Sequence, residues 1–108
     1  MADGDKKRAA HQALVDRVLN GEGKTSQEQR AQAFSDADVP APLQALISKV
    51  ATRPAQVTDA DFAAAKAAGF SEDQLFELVI AAAVGQSARL YEAGLAALAE
   101  ATSTGKAG

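Results

Sequence analysis

Residues 75–84 read LFELVIAAAV, an apolar run in which Glu77 is the only ionisable residue. A helix on the surface of a protein shows one polar side, whereas this run would be apolar on nearly every side. The rest of the chain offers only short helices with modest apolar stripes to cover it. We therefore expect part of this segment to pack against a second copy of the chain. The alternative is a central core helix in a monomer.

The composition favours packed helices around one core. The 108 residues are enough for one domain and too few for two. They are 47% hydrophobic but only 5% aromatic, and much of the remainder is alanine, the best helix former and a poor strand residue. We predict an all-α bundle of about five helices with a long C-terminal helix. It is expected to span residues 6–101, between flexible ends at 1–5 and 102–108.

Charge and cysteine content exclude several classes of function. The 11 basic and 14 acidic residues are interspersed and leave a net charge of −3, so no nucleic-acid or membrane partner is expected. The longest apolar run, Leu78 to Gly85, is far shorter than the ~20 residues of a membrane span, and we expect a cytoplasmic protein. The absence of cysteine excludes thiol redox chemistry, disulfides and thiolate metal sites.

Capping residues predict where the first two helices begin and end. The first helix runs from about residue 6 to 19 and stops at an Asn-Gly pair. The second ends near residue 34 and begins at Thr25 or Ser26, with Glu28 or Gln29 respectively completing a capping box. Residues 21–25, GEGKT, faintly resemble a phosphate-binding loop, but no strand precedes them, and we predict a flexible linker.

The third helix carries the clearest amphipathic pattern in the chain. Its apolar residues recur at i, i+3, i+4 and i+7, namely Leu43, Leu46, Ile47 and Val50. Prolines 40 and 42 suit the opening of this helix, and Arg53-Pro54 ends it.

Two further capping pairs predict the last two helices. Thr58 with Asp61 begins the fourth helix, which Gly69 closes, and Ser71 with Gln74 begins the last. The last helix then meets no strong breaker before about residue 101. Within it, Gly85 costs roughly 1 kcal/mol relative to alanine, a cost accepted where a helix kinks or where another backbone must come close.

Few side chains are candidates for chemistry. Glu77 is a candidate acid or base, because a carboxylate in apolar surroundings finds a partner or shifts its pKa upward. It could instead reach solvent or bind an arginine of a partner helix. Asp61 and Arg89 complete the set of weak catalytic candidates, although an ion pair with Glu92 is the simpler expectation for Arg89. His11, the only histidine, is expected to be exposed and has no ligand cluster around it, so neither metal nor cofactor is predicted.

The C-terminal part of the chain carries a recognisable pattern. Residues 64–79 combine a short helix that ends at an Ala68-Gly69 turn with a serine-capped helix whose first turn is acidic, Ser71-Glu72-Asp73. Followed by the apolar residues 81–84, this pattern resembles the carboxymuconolactone decarboxylase and alkylhydroperoxidase D-like family, over about 40 residues from Val57 to Leu98. The resemblance implies an all-α fold that assembles as trimers, hexamers or related rings, with the long helix in the subunit packing.

The resemblance does not bring the family's catalytic residues with it. Its peroxidase members carry a Cys-x-x-Cys pair with a histidine four residues beyond, and these places fall here at about Pro54, Val57 and Asp61. Proline and valine provide no nucleophile, and an aspartate cannot replace the histidine near neutral pH without a large pKa shift. The decarboxylase branch works without metal or organic cofactor, so acid–base chemistry stays open.

Three hypotheses follow from the sequence. The leading one is an oligomeric structural or binding subunit without thiol redox activity, assembling alone or beside a catalytic paralogue. The second is a cofactor-independent decarboxylase or isomerase for small organic acids that uses Glu77, Asp61 or Arg89. The third is a module that binds an apolar small ligand in an alanine-lined cavity between helices, which requires a void larger than a few methyl groups.

Overall fold

The computed structural model describes the backbone of residues 2–107 and the side chains of residues 6–102. Its helices are α1 (Ala2–Asn20), α2 (Gln27–Ser35), α3 (Ala41–Thr52), α4 (Asp59–Ala67) and α5 (Glu72–Ala107), with a short 3₁₀ helix at Pro54–Gln56. The predicted all-α fold with a long C-terminal helix is confirmed. The side chains of residues 1–5 and 103–108 lie outside the described residues, so the flexible ends stay a prediction.

The start of α2 shows which of two possible caps the chain uses. The hydroxyl of Ser26 accepts from the backbone N–H of Gln29 at 3.0 Å, and the Gln29 side chain accepts from the Ser26 N–H at 2.9 Å. This reciprocal pair satisfies two N–H groups that the first turn of a helix leaves without partners. Thr25 does not cap α2 and contacts α5 instead.

The other predicted boundaries agree with the structure to within a few residues. Asp61 accepts from the Thr58 N–H at 2.9 Å at the start of α4, and Gly69 takes a positive φ of 108° after its end. Ser71 and Gln74 form a further capping box at the start of α5. The 3₁₀ helix has no signal in the sequence, and the helical backbones of α1 and α5 extend beyond the predicted helix ends at residues 6 and 101.

The hydrophobic core lies between α2, α3 and the N-terminal half of α5. The predicted stripe of α3 is buried in full. From α5 the core receives Leu75, Leu78, Ala81 and Ala82. The void between α2, α3 and α5 measures about 10 Å³, room for a single water at most. This part of the interior is therefore too tightly filled to hold an apolar ligand.

About half of α5 extends beyond the core. With 36 residues the helix is ~54 Å long, and its last buried residue in the described part is Gly85. The radius of gyration is 16.7 Å, compared with about 13 Å for a compact domain of this length. The extended half is accompanied by α1, where the His11 ring lies 4.6 Å from the ring of Tyr91. The prediction that His11 is exposed is wrong, because this contact leaves it half-buried.

Gly85 lies where the backbones of α2 and α5 come into direct contact. A Cβ atom at this position would clash with the carbonyl oxygen of Phe34, near the end of α2. The expectation of a close backbone approach is therefore confirmed, and α5 continues through Gly85 without interruption. Gly94, further along the same helix, has no such neighbour: a Cβ there would meet nothing within 4 Å.

These two glycines predict opposite effects of one substitution. At a protein concentration low enough to keep the chain monomeric, we expect Gly94→Ala to stabilise it by about 0.5–1 kcal/mol, since alanine has the higher helix propensity and the space within the single chain is open. Gly85→Ala has the same propensity advantage but should destabilise by about 1–3 kcal/mol, because the added methyl group forces α2 and α5 apart. Urea unfolding of both variants measures the difference. Equal effects of the two substitutions would contradict the close approach at Gly85.

Candidate functional site

The carboxylate of Glu77 is fully engaged by the loop between α1 and α2. One of its oxygens accepts from the backbone N–H of Lys24 at 2.6 Å. The other accepts from the backbone N–H of Thr25 at 2.9 Å and from the Thr25 hydroxyl at 2.7 Å. The two residues that supply these donors, Lys24 and Thr25, lie more than 50 residues from Glu77 in the sequence. Glu77 therefore fastens the α1–α2 loop to the side of α5.

A buried arginine completes this polar cluster. Arg30 donates to the backbone carbonyls of Val18 and Gly21, at the end of α1. These carbonyls have no partner within the helix, and a cation near them also complements the helix dipole. Among the described side chains, every buried nitrogen and oxygen atom has a hydrogen-bond partner. We define Thr25, Arg30 and Glu77 as the polar anchor.

The polar anchor keeps Glu77 ionised. Burial raises the pKa of the Glu77 carboxyl, but the hydrogen bonds from Lys24 and Thr25 and the charge of Arg30 outweigh burial and hold this pKa below its ordinary value. A general acid or base that works near neutral pH needs a raised carboxyl pKa instead. A cleft of about 160 Å³ opens beside Glu77, yet both carboxylate oxygens already face donors of the chain.

The loop at residues 21–25 is more closely held than a flexible linker. A Cβ atom at Gly23 would lie 2.6 Å from a carboxylate oxygen of Glu77, so a side chain there would displace the anchored group. Two backbone N–H groups of this loop are bound to the same carboxylate. The sequence carried no signal for this contact, because the loop and Glu77 are distant along the chain.

Asp61 links α4 to the end of α3. Its two oxygens lie 3.1 Å from the ammonium group of Lys49, and Thr58 donates to one of them. The backbone hydrogen bond from Thr58, followed by the hydrogen bond from Lys49, lowers the pKa of Asp61. An ionised, paired carboxylate in this position stabilises two helix ends.

The Arg89 side chain binds the C-terminal end of α2. It donates to the carbonyl oxygen of Phe34 at 2.8 Å, the same carbonyl that lies against Gly85. The expected ion pair with Glu92 is wrong: among the described side chains the ion pairs are Lys49–Asp61 and Lys66–Glu72. A carbonyl in the last turn of a helix lacks an intrahelical partner and therefore needs a donor, whereas an ion pair with an exposed carboxylate contributes little to stability.

The three catalytic candidates thus lie in different parts of the fold. Glu77 binds the α1–α2 loop, Asp61 binds Lys49, and Arg89 binds α2. Each makes contacts that stabilise helix ends or loops. Among the described side chains, no three histidine, aspartate or glutamate residues come together in a group that could hold a metal ion.

A different feature of α5 stands out once the helices are assembled. Its large apolar side chains remain in solvent at several positions: Phe76 is 67% exposed, Ile80 38%, Leu90 63% and Leu98 64%. The chain's own helices therefore cover only part of the apolar run at 75–84, as expected from the sequence.

Eight exposed positions follow one side of α5, at spacings that alternate between four and three residues. We define them as the α5 face: Phe76, Ile80, Ala83, Ser87, Leu90, Gly94, Ala97 and Ala101. None of the eight is charged, and they extend over ~37 Å of helix. The 4-3 spacing is visible in the sequence and is the signal that could have predicted this face, which continues beyond the apolar run at 75–84 to Ala101.

The N-terminal end of the α5 face borders an apolar groove between α4 and α5. The groove has a volume of about 430 Å³, and its lining includes the ion pair between Lys66 and Glu72. Its lining residues are Phe62, Lys66, Glu72, Leu75, Phe76 and Val79. Exposed apolar surfaces that continue over several turns of helix are typical of sites where another molecule binds.

Comparisons with known proteins leave the family open. No family model, curated protein or solved structure matches the chain. Within the described residues, no helix has both the length and the apolar character needed to cross a membrane.

The polar anchor predicts a loss of stability in acid. Because the pKa of Glu77 is lower in the folded protein, its contribution is present above the unfolded-state pKa of roughly 4.3 and is lost as the pH falls through the folded-state pKa. Glu77→Gln places an amide nitrogen against a backbone donor, so we expect a cost of about 1–3 kcal/mol at pH 7. Urea unfolding should show the two proteins converging below about pH 4.

A matched control separates this effect from a general effect of charge. Glu92→Gln removes an exposed carboxylate from the same helix and should change the free energy of unfolding by less than about 0.5 kcal/mol. If Glu77→Gln were as small in effect at pH 7, the polar anchor would not be a stabilising element.

Proposed function

We propose that this chain is an oligomeric helical subunit, structural or binding in role, whose copies meet through the α5 face. It carries out no thiol redox reaction, since it has no cysteine. We place it in the cytoplasm. The observation that supports the proposal best is the exposure of Phe76, Ile80 and Leu90 along one side of α5.

The energetics of this surface favour association. Burying a leucine, isoleucine or phenylalanine side chain stabilises a protein by about 1.5–3 kcal/mol relative to leaving it exposed. When two copies bury these three side chains against each other, they gain a free energy of the same order as the cost of association, which is about 4–15 kcal/mol. An exposed apolar face of this length on a lone chain would also favour aggregation.

The resemblance to the carboxymuconolactone decarboxylase family belongs to the same proposal. That family uses its long helix in subunit packing, which agrees with the location of the exposed face. A catalytic paralogue of similar fold is therefore a further partner to consider, in addition to identical copies. The groove between α4 and α5 gives such an assembly a surface on which an apolar group can bind.

The alternative of a cofactor-independent acid–base enzyme receives less support. It requires ionisable groups that converge on an enclosed pocket, with a carboxyl pKa near the working pH. Glu77 and Asp61 have lowered pKa values and are held in separate parts of the fold. Arg89 is engaged by the end of α2. These contacts favour a structural role for all three.

The proposal predicts that one charge on the α5 face prevents association. Sedimentation velocity of the unaltered chain over a range of concentrations should show reversible self-association. Leu90→Glu should remove it, because two buried carboxylates without partners cost far more than the lost leucine contact. Circular dichroism should show an unchanged helix content, as Leu90 is exposed in the single chain.

The matched control places the same charge on another side of α5. Ala96 is also exposed but lies outside the α5 face, so Ala96→Glu should leave self-association unchanged. A monomer at every concentration for the unaltered chain, or an equal effect of both substitutions, would contradict the proposal.

A further inference from the structure

When the residues of the α5 face are set against the same residues in reverse order, each large residue falls opposite a small one. From residue 76 to 101 it reads Phe, Ile, Ala, Ser, Leu, Gly, Ala, Ala, at the 4-3 spacing of a coiled-coil seam. The geometry points to an antiparallel dimer in which two α5 helices pair along this face, with the two-fold axis between Ser87 and Leu90. This inference rests on the proposed function, that the α5 face is where copies meet.

One antiparallel register uses all eight positions. It sets the residues of one copy against those of the other in the pairs Phe76–Ala101, Ile80–Ala97, Ala83–Gly94 and Ser87–Leu90. In no layer do two bulky side chains meet, so the helices can keep an even separation and fill the space between them. The Ala83–Gly94 layers contain only small residues and are the points where the two backbones come closest.

The neighbouring antiparallel registers fit less well. Shifting the pairing by one heptad in one direction sets Ile80 against Leu90, two large side chains, and leaves Ala97 and Ala101 unpaired. The opposite shift sets Ile80 and Phe76 opposite residues 104 and 108, beyond the end of the α5 face, and so loses the pairing of these two large exposed side chains with Ala97 and Ala101.

A parallel pair is also disfavoured. In register, it would place each leucine against leucine and each glycine against glycine, so bulky layers would hold the helices apart while small layers left voids. The antiparallel arrangement avoids this cost.

The position of α1 agrees with a two-fold axis between Ser87 and Leu90. Val18 and Ile80 line the same cleft, and His11 contacts Tyr91, so α1 lies beside the part of α5 centred near residue 88. A two-fold axis perpendicular to the α5 pair keeps both α1 helices on the same side and brings them alongside each other at the axis. Leu14, 48% exposed on α1, then extends the contact surface.

The contact area sets the expected strength of the dimer. A strip ~37 Å long and about 10 Å wide buries about 370 Å² per copy through α5. With α1 included, the total for both copies reaches roughly 1,000 Å², the lower limit for a specific interface. The dimer should therefore be reversible, with dissociation in the micromolar range rather than the nanomolar range.

The absence of cysteine makes a disulfide test of this register possible without background. Ala83→Cys and Gly94→Cys are prepared as separate proteins with tags of different mass, mixed, and oxidised at a concentration at which the unaltered chain associates. We expect a mixed disulfide that links position 83 of one copy to position 94 of the other. Each variant oxidised alone should give almost no disulfide-linked dimer. The same residue in the two copies is separated by ~16 Å along the helix, and a disulfide needs Cα atoms within about 7 Å.

The outcomes separate this inference from the proposed function. Ala96→Cys, exposed but outside the α5 face, serves as the control and should not cross-link. Strong self-linking of Ala83→Cys alone would show a parallel pair, which overturns the register but keeps the α5 face as the contact. Association without any of these disulfides would overturn the register and place the interface elsewhere. A monomer in sedimentation would overturn the proposed function together with this inference.

Discussion

The direct contact between α2 and α5 at Gly85 organises the whole molecule. The absence of a side chain at this position lets the carbonyl of Phe34 lie against the helix backbone, and Arg89 binds that same carbonyl one turn later. On the N-terminal side of this contact, α5 is the wall of a filled core. On the C-terminal side, from residue 86 to the last described side chain at 102, it has only partial cover. One close approach thus divides a single helix into two parts with different surroundings.

The ionisable groups near the core stabilise this arrangement through helix ends and loops. Glu77 and Arg30 bind backbone groups of the α1–α2 connection, and Asp61 binds the first turn of α4 and Lys49. Their hydrogen bonds lower the carboxyl pKa values, so the charged forms are the stable ones at neutral pH. The contacts of these charged groups restrict the positions of α1 and α4. The main feature of the surface that these contacts do not explain is the set of exposed apolar side chains.

That feature is concentrated on the α5 face. A chain of this length buries a limited share of its surface, and four short helices cannot enclose a helix of 36 residues. The exposed Phe76, Ile80 and Leu90 fall on one side because the core, α1 and α4 occupy the others. In the proposed antiparallel dimer, a second copy offers a small residue for each of these large ones, and assembly would complete the burial that folding begins.

The amino-acid sequence by itself determined the helical class, the capping boxes and the buried stripe of α3, since these depend on residues within a few positions of one another. It also indicated that at Gly85 the helix kinks or another backbone comes close, and that the rest of the chain cannot cover every side of residues 75–84. Only the tertiary structure decided that Glu77 holds the α1–α2 loop, that Arg89 binds α2, and that His11 packs on Tyr91. Those contacts join residues that are far apart in the chain, and no local pattern specifies which distant groups a fold brings within hydrogen-bonding distance.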